Sequence, residues 1–406
     1  MGLSFSKELK AAIPEYVFGI NRVKHINKVL STNPEWRIES FALLKKLLNN
    51  MIAKDASDLD FGGPRAKSKI WYRIYGDKNP DPNVGDLNED DAIIVALSVL
   101  STDQKKNLIA NKNLDFALSM KLDETETDFR FRGNIFFERN FLAVNLRVIK
   151  QKLYTMAGLG IPAPIVKRLD LQHEKSGLCL LTGITGSGKS TTLDAVVDMN
   201  NHNNNAHIIV IGNPIEYIHT SDRSIVTHRE VGADVESFQR GTIESLRQDP
   251  DIIVVGEMRD AKTISTVLEV TDSGHKVFST LHTSSTIDSI HRIIAEFPPD
   301  EQERVRYRLA DVLKVVISQK LVPDKKNKLT LAKEILSVDH SVQAAIRNGN
   351  ITELYQMLTE GKSQGMFTMQ QDLYRLFKAG VITMETAMNY CNNKKVMTNL
   401  LKYSGH

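Results

Sequence analysis

Apolar positions along the chain keep one period near the N-terminus, a mixed one in the middle and a third in the rest. In the first fifty residues Phe41, Leu43, Leu44, Leu47 and Leu48 are spaced for one face of a helix, which predicts short amphipathic helices. From about residue 51 the pattern mixes. Ile70, Tyr72 and Ile74 alternate on a strand ending at Gly76, and a polar loop fills 81–86. Helices are predicted over about 89–100 and 102–112, the second with Ser101 and Thr102 as caps and Asp103 favourably placed near its positive end. A hairpin follows: Phe129 and Phe131 alternate with Arg130 and Arg132, then Leu142, Val144, Leu146 and Val148 repeat the alternation.

Gly158, Gly160, Pro162 and Pro164 make 156–168 a breaker-rich linker. Beyond it, apolar runs at 178–182, 207–211, 252–255 and 277–281 alternate with helical stretches, as in a parallel sheet buried on both faces. The asparagine cluster at 200–205 reads as a surface loop. The stretch 301–321, with Val305, Leu309, Val312, Leu313, Val316 and Ile317 on one face, reads as one core helix. Leu373, Leu376 and Phe377 mark C-terminal helices between about 365 and 403. The expected division is a helical extension over 1–50, an α+β domain over 51–155 and an α/β domain with C-terminal helices over 156–406.

Composition narrows the class. Among 406 residues, 52 Lys and Arg against 49 Asp and Glu leave a net charge of +3, which gives no polybasic footprint and argues against direct nucleic-acid binding. Cys179 and Cys391 lie too far apart in sequence for a CxxC pair, so neither a disulfide framework nor a tetracysteine zinc site is expected, and a reducing cytoplasm fits. No run approaches the roughly 18 apolar residues of a transmembrane segment, so membrane contact is expected through partners. Residues 1–6 match the loose M-G-x-x-x-[ST] acylation pattern, which is too short to weigh much.

The chemistry concentrates after the first buried run. Gly183-Ile184-Thr185-Gly186-Ser187-Gly188-Lys189-Ser190 stands between a strand and a helix that continues through Thr191, the context a P-loop requires. Its glycines let backbone N–H groups turn around a phosphate, and the helix N-terminus adds partial positive charge. Thr185 and Ser187 belong to the same cradle. Lys189 is expected to reach the β- and γ-phosphates of ATP, and the Ser190 hydroxyl to ligate Mg²⁺.

Three further segments end buried runs. Asp251-Ile252-Ile253-Val254-Val255-Gly256-Glu257 sets a carboxylate past a strand, at the sheet edge where phosphates and Mg²⁺ lie. There Glu257 can polarise the attacking water. Glu216 ends Ile211-Gly212-Asn213-Pro214-Ile215-Glu216, and His282 ends a segment that begins at Gly274-His275. An imidazole at such a place can sense the γ-phosphate, and His275 is counted with the nucleotide-binding candidates. Arg229, Arg240 and Arg247, or the hairpin residues Arg130, Arg132 and Arg147, are candidates to neutralise phosphate charge across a subunit interface.

Taken together, GITGSGKSTTL, NPIEY, HREV, SLRQDPDIIVVGEMRD and GHKVFSTLHTSS resemble the Walker A, Asp, Walker B and His boxes of the type II/IV secretion ATPase superfamily, in particular its PilT-type pilus retraction ATPases. Ala56-Ser57-Asp58-Leu59 and Phe129-Arg130-Phe131-Arg132-Gly133-Asn134 are similar to two elements of that family's N-terminal domain. The resemblance implies a PAS-like domain followed by a RecA-like P-loop domain with a parallel-rich sheet. It also implies a cytoplasmic homo-hexamer that works on a platform protein of the inner membrane. Ala344-Ala345-Ile346-Arg347-Asn348 resembles the start of the retraction motors' AIRN element, and the lack of a tetracysteine insert disfavours an extension motor. Gln319-Lys320-Leu321-Val322-Pro323 instead resembles the Dot/Icm-type ATPases of type IVB secretion. Where the family reads IEDPIE this chain has Gly212 and Asn213 in place of the first two acids, which leaves Glu216 and Glu257 to do the acid work. Loss of a water-orienting carboxylate slows hydrolysis by about 10²–10⁴-fold when no neighbour substitutes, so a nucleotide-binding subunit with little turnover is the alternative.

Overall fold

The computed structural model describes residues 3–122, 128–149, 153–326 and 328–402. The chain divides into two compact units, Met1–Gln151 and Lys152–His406.

The first unit is built on a six-stranded antiparallel sheet. Its strands are β1 (Ala56–Gly62), β2 (Trp71–Ile74), β3 (Asp77–Pro80), β4 (Asn113–Lys121), β5 (Asp128–Glu138) and β6 (Phe141–Ile149), in the order β3-β2-β1-β6-β5-β4. The predicted hairpin is β5–β6, with Phe131 opposite Val148 and Ile135 opposite Val144. β1, β3 and β4 have weaker apolar alternation and were not foreseen. β1, for instance, sets Asp58 and Asp60 among its apolar residues. The N-terminal helices Gly19–Thr32 and Pro34–Ala53 pack into the sheet's own core through Val23, Ile26, Leu44, Leu47, Leu48 and Met51, while Phe41 stays exposed. Helix Thr102–Asn111 carries the expected cap as a full capping box, Ser101 and Gln104 each satisfying the other's backbone N–H. Of the acylation pattern, Met1 and Gly2 lie outside the described residues, and Leu3 and Phe5 are buried.

The second unit centres on seven strands: β7 (Gly177–Thr182), β8 (His207–Gly212), β9 (Ile225–Glu230), β10 (Ile252–Val255), β11 (Lys276–Leu281), β12 (Leu313–Pro323) and β13 (Leu329–Ser337). Their order is β13-β12-β7-β11-β10-β8-β9, parallel from β12 to β9, with β13 antiparallel on β12. Successive residues of the buried runs feed opposite cores. Leu178, Leu180, Ile253 and Val255 join one cluster; Cys179, Leu181, Ile252 and Val254 join the other. That is why these strands read as unbroken apolar runs. The fold is thus a RecA-like α/β unit with a smaller α+β unit before it in the chain.

Two expectations are corrected here. The run 301–321 is not one helix: Pro299–Val312 is helical and the chain continues as β12. Val315, Val316 and Ile317 are β-branched and stiff at χ1, and β12 finds partners on both sides, β7 and β13, so strand pairing outweighs helical periodicity. The asparagine cluster is no surface loop either. Helix Lys189–Asn203 runs through most of it, and buried Asn200 bonds the Leu169 carbonyl and the Leu171 N–H, while Asn201 donates to the Thr220 carbonyl. Composition alone cannot distinguish buried amides with partners from solvated ones. The C-terminal helices Met369–Lys378, Met384–Tyr390 and Lys394–Lys402 close a fourth core with Val322 and Ala332, in which Leu373 and Leu376 are buried and Phe377 partly so.

Candidate functional site

Four strands end on one edge of the parallel sheet, and each delivers one of the expected segments. In the spatial order β7, β11, β10, β8, they lead into the loop 183–190, His282, Glu257 and the segment 212–216. This is the carboxyl edge at which α/β sheets bind phosphates.

The loop after β7 is shaped by its glycines. Gly186 and Gly188 have φ of 80° and 88°, the left-handed region that favours glycine, and Gly188 opens the helix Lys189–Asn203. Gly183 donates to the Leu281 carbonyl (3.2 Å), tying the loop to the end of β11. A Cβ at 183 would lie 2.6 Å from the Gln319 carbonyl oxygen and on top of the Ser187 hydroxyl. No backbone hydrogen bond among the described residues uses the N–H of Gly186, Gly188 or Ser190, and the first N–H groups of a helix have no partner within it. The Ser187 hydroxyl is buried without a hydrogen-bond partner among the described residues. Lys189 folds back over the loop, donating to the carbonyls of Gly183 (2.7 Å) and Ile184 (3.1 Å). Burial lowers its ammonium pKa, and the charges of Glu257 and Glu216 oppose that shift. Free donors, an orphaned hydroxyl and an ammonium whose hydrogen bonds among the described residues go to loop carbonyls fit a polyphosphate.

Beside it, the Glu257 carboxylate is 14% exposed, 2.7 Å from Arg259 Nε and 3.6 Å from His282 Nε2. The end of β10 is stitched to β11 by the Ser279 and Thr280 hydroxyls, which donate to the carbonyls of Val255 and Gly256 (2.7 Å each). Burial and then the Lys189 charge hold the His282 imidazole below the usual histidine value, against the pull of Glu257. Glu216 is half-buried after Asn213 and Pro214, whose peptide bond is cis. At 212 a Cβ would come within 2.7 Å of Ile215 Cδ1, so Ile215 fills the space an acid would need, whereas Asn213 is exposed. Thr185 is exposed, and Ser190 and Thr191 are half-buried at the start of the helix.

His275 is displaced from the expected site. It precedes β11 rather than following it, with Nδ1 near Ser273 Oγ (3.0 Å) and the Val270 carbonyl, at the sheet edge opposite the phosphate loop. A six-residue strand separates the two edges by roughly 20 Å. The arginines fall in two groups. Arg229 on β9 and Arg240 both bind Glu244 (2.9 Å), and Arg247 is exposed nearby. On the first unit's sheet Arg132 lies opposite Arg147, which pairs with Asp58 (2.8 Å), and Arg130 donates to Ser119 (2.9 Å).

Sequence reading missed Thr192 and Gln319. The buried Gln319 amide donates to Thr192 Oγ1 (2.8 Å), bracing the phosphate-loop helix against β12. Both lie in segments that the sequence singles out, the phosphate-loop motif and the run 319–323, but nothing local shows that the two side chains meet.

The family model for type II/IV secretion system proteins matches residues 38–393. The chain is 34% identical over 362 residues to the type IV pilus ATPase PilU of Pseudomonas aeruginosa, an alignment covering 88% of this chain and 91% of the relative. It superposes on the crystal structure of the pilus retraction motor PilT with bound ADP at a TM-score of 0.78 and 36% identity, covering 87% of this chain and 98% of that one. The Legionella pneumophila ATPase DotB shares the fold at a TM-score of 0.69 and 23% identity, over 86% of this chain and 95% of that one.

Proposed function

We propose that this chain, which belongs to the type II/IV secretion system protein family and is an ATPase, is a type IV pilus retraction motor. It works as a cytoplasmic homo-hexamer at the inner face of the inner membrane, on a platform protein there. What supports the reading is one observation: Lys189, His282, Glu257 and Glu216 follow strand ends on a single sheet edge, in a chain that matches the retraction motor PilT over 98% of that motor's length.

In this reading the N–H groups of residues 183–190 surround the phosphates, and Lys189 exchanges its loop carbonyls for them. The Ser190 hydroxyl would hold Mg²⁺, which would supply neutralisation of phosphate charge. Glu257, held by Arg259 and His282, orients the attacking water, and Glu216 is the second acid. Arg229, Arg240 and Arg247, or Arg130, Arg132 and Arg147, act on a neighbouring subunit's nucleotide.

Steady-state ATPase rates of the wild type, Lys189→Ala and Glu257→Gln test the chemistry. The Glu257→Gln rate is expected to fall about 10²–10⁴-fold, and equal rates in all three would overturn it. Twitching of a deletion strain tests the role: unimpaired twitching favours secretion of the Dot/Icm kind. Gly212 and Asn213 favour a second reading, a ring subunit that binds ATP and hardly turns over. Tight binding without phosphate release in a single-turnover assay would select it.

A further inference from the structure

After Glu216 in the chain comes a buried histidine, set among half-buried polar groups, that the chemistry above does not use. The His219 side chain is 1% exposed, and its Nε2 is 3.5 Å from Asp194 Oδ1. Asp194 sits on the helix Lys189–Asn203, little more than one turn beyond Lys189. Neither ring nitrogen of His219 has a hydrogen-bond partner among the described residues, and the Asp194 carboxylate at 3.5 Å is the charged group beside it. Tyr217 tilts against the ring at 4.7 Å between centroids, and His228 stacks on it at 5.8 Å with 4° between planes.

The same histidine fixes the backbone. Its N–H donates to His228 Nε2 (3.1 Å), which makes that nitrogen an acceptor and places any proton of the neutral ring on Nδ1. Two residues along β9, Glu230 accepts from the Ile215 N–H (3.1 Å). His228 and Glu230 share one face of β9, so one strand edge holds the segment on both sides of Glu216. Arg229, on the other face, turns to Glu244. The backbone clamp therefore belongs to β9, and the side-chain contact to the phosphate-loop helix belongs to His219. Burial raises the Asp194 carboxyl pKa, and His219 offsets part of that rise.

We propose that His219 is a positioning residue for ATP hydrolysis: its contact with Asp194 sets the Glu216 segment against the helix that carries Lys189 and Ser190. This rests on the reading of Glu216 as one of the two acids. A carboxylate on a segment free to drift by about 1 Å loses up to two orders of magnitude of rate, and a contact from the phosphate-loop helix removes that freedom.

Steady-state kinetics of the full-length chain with MgATP test this. His219→Phe keeps a ring between Tyr217 and His228 and keeps the backbone bond, but has no N–H for Asp194. It is expected to lower kcat about 10-fold while KM for ATP stays within about two-fold of wild type and the melting temperature holds. Asp194→Asn is expected to match it. His219→Gln, whose amide can reach Asp194, restores kcat. Because His219 acts through Glu216, the double variant His219→Phe/Glu216→Gln turns over no more slowly than Glu216→Gln alone. Wild-type kcat in His219→Phe and Asp194→Asn beside an impaired Glu216→Gln overturns the positioning alone. A normal kcat in Glu216→Gln overturns the acid role of Glu216 and the positioning with it. Should His219→Phe melt early, Asp194→Asn in the same cycle decides, and multiplicative losses there overturn the proposal.

Discussion

At position 282 an imidazole faces a carboxylate and an ammonium at once, and its titration reports on both. Burial and the Lys189 charge disfavour the imidazolium while Glu257 favours it, and the balance lies below the usual histidine value. His282 is therefore expected to be neutral at pH 7, with an NMR midpoint that rises in Lys189→Ala and falls in Glu257→Gln. Identical midpoints in the three proteins would refute this coupling. Gly183 admits no side chain, since its φ is 148° and a Cβ meets Gln319 and Ser187. Gly183→Ala is expected to abolish binding of a fluorescent ATP analogue. The two lost acids differ in kind. Asn213 is exposed and accepts Asp without rearrangement, so Asn213→Asp is expected to raise the phosphate-release rate. Gly212→Glu must displace Ile215 and is expected to cost about 1–3 kcal/mol in a denaturant titration.

At the scale of elements, one buried carboxylate joins two helices. Glu334 on β13 accepts from the N–H and hydroxyl of Thr286 (2.8 and 2.9 Å) and from the Met369 N–H (3.2 Å), at the starts of helices Thr286–Ala295 and Met369–Lys378. Burial nevertheless raises its pKa. The native state thus holds this proton more tightly than the unfolded chain, so its contribution to stability falls as pH rises from about 4 through the raised native value. Glu334→Gln is expected to flatten that part of the stability–pH curve, and Glu334→Ala to cost about 1–3 kcal/mol by stranding buried donors. A parallel curve for Glu334→Gln would refute the assignment. The strands most legible in the sequence were those buried on both faces, because burial there leaves no polar alternation. β12 was misread because its apolar residues continue a helical period from the preceding helix, and one of the two strands it pairs with, β7, lies far away in the chain.

For the whole molecule, each unit has its own core, and the phosphate loop belongs to the second. ATP is expected to slow hydrogen exchange in β7, the loop 183–190 and the following helix, and to leave the β4–β6 amides of the first unit unchanged within an isolated subunit. Saturation at about 100 times Kd adds about 2.7 kcal/mol to the unit that binds. Equal protection in β4–β6 would refute this. The connection between the last two helices also reaches the site's surroundings, for Asn392 donates to the Ser284 carbonyl two residues past His282, and Lys320 donates to Asn392. The sequence by itself determined the phosphate loop, the four strand ends and the parallel sheet, because short-range spacing and burial on both faces leave local marks. Tertiary structure alone decided that Asn200 and Asn201 are buried, that Gln319 braces Thr192, and that Asp194 meets His219. Those outcomes depend on which distant strand or helix supplies the partner, and residue spacing along the chain does not encode that.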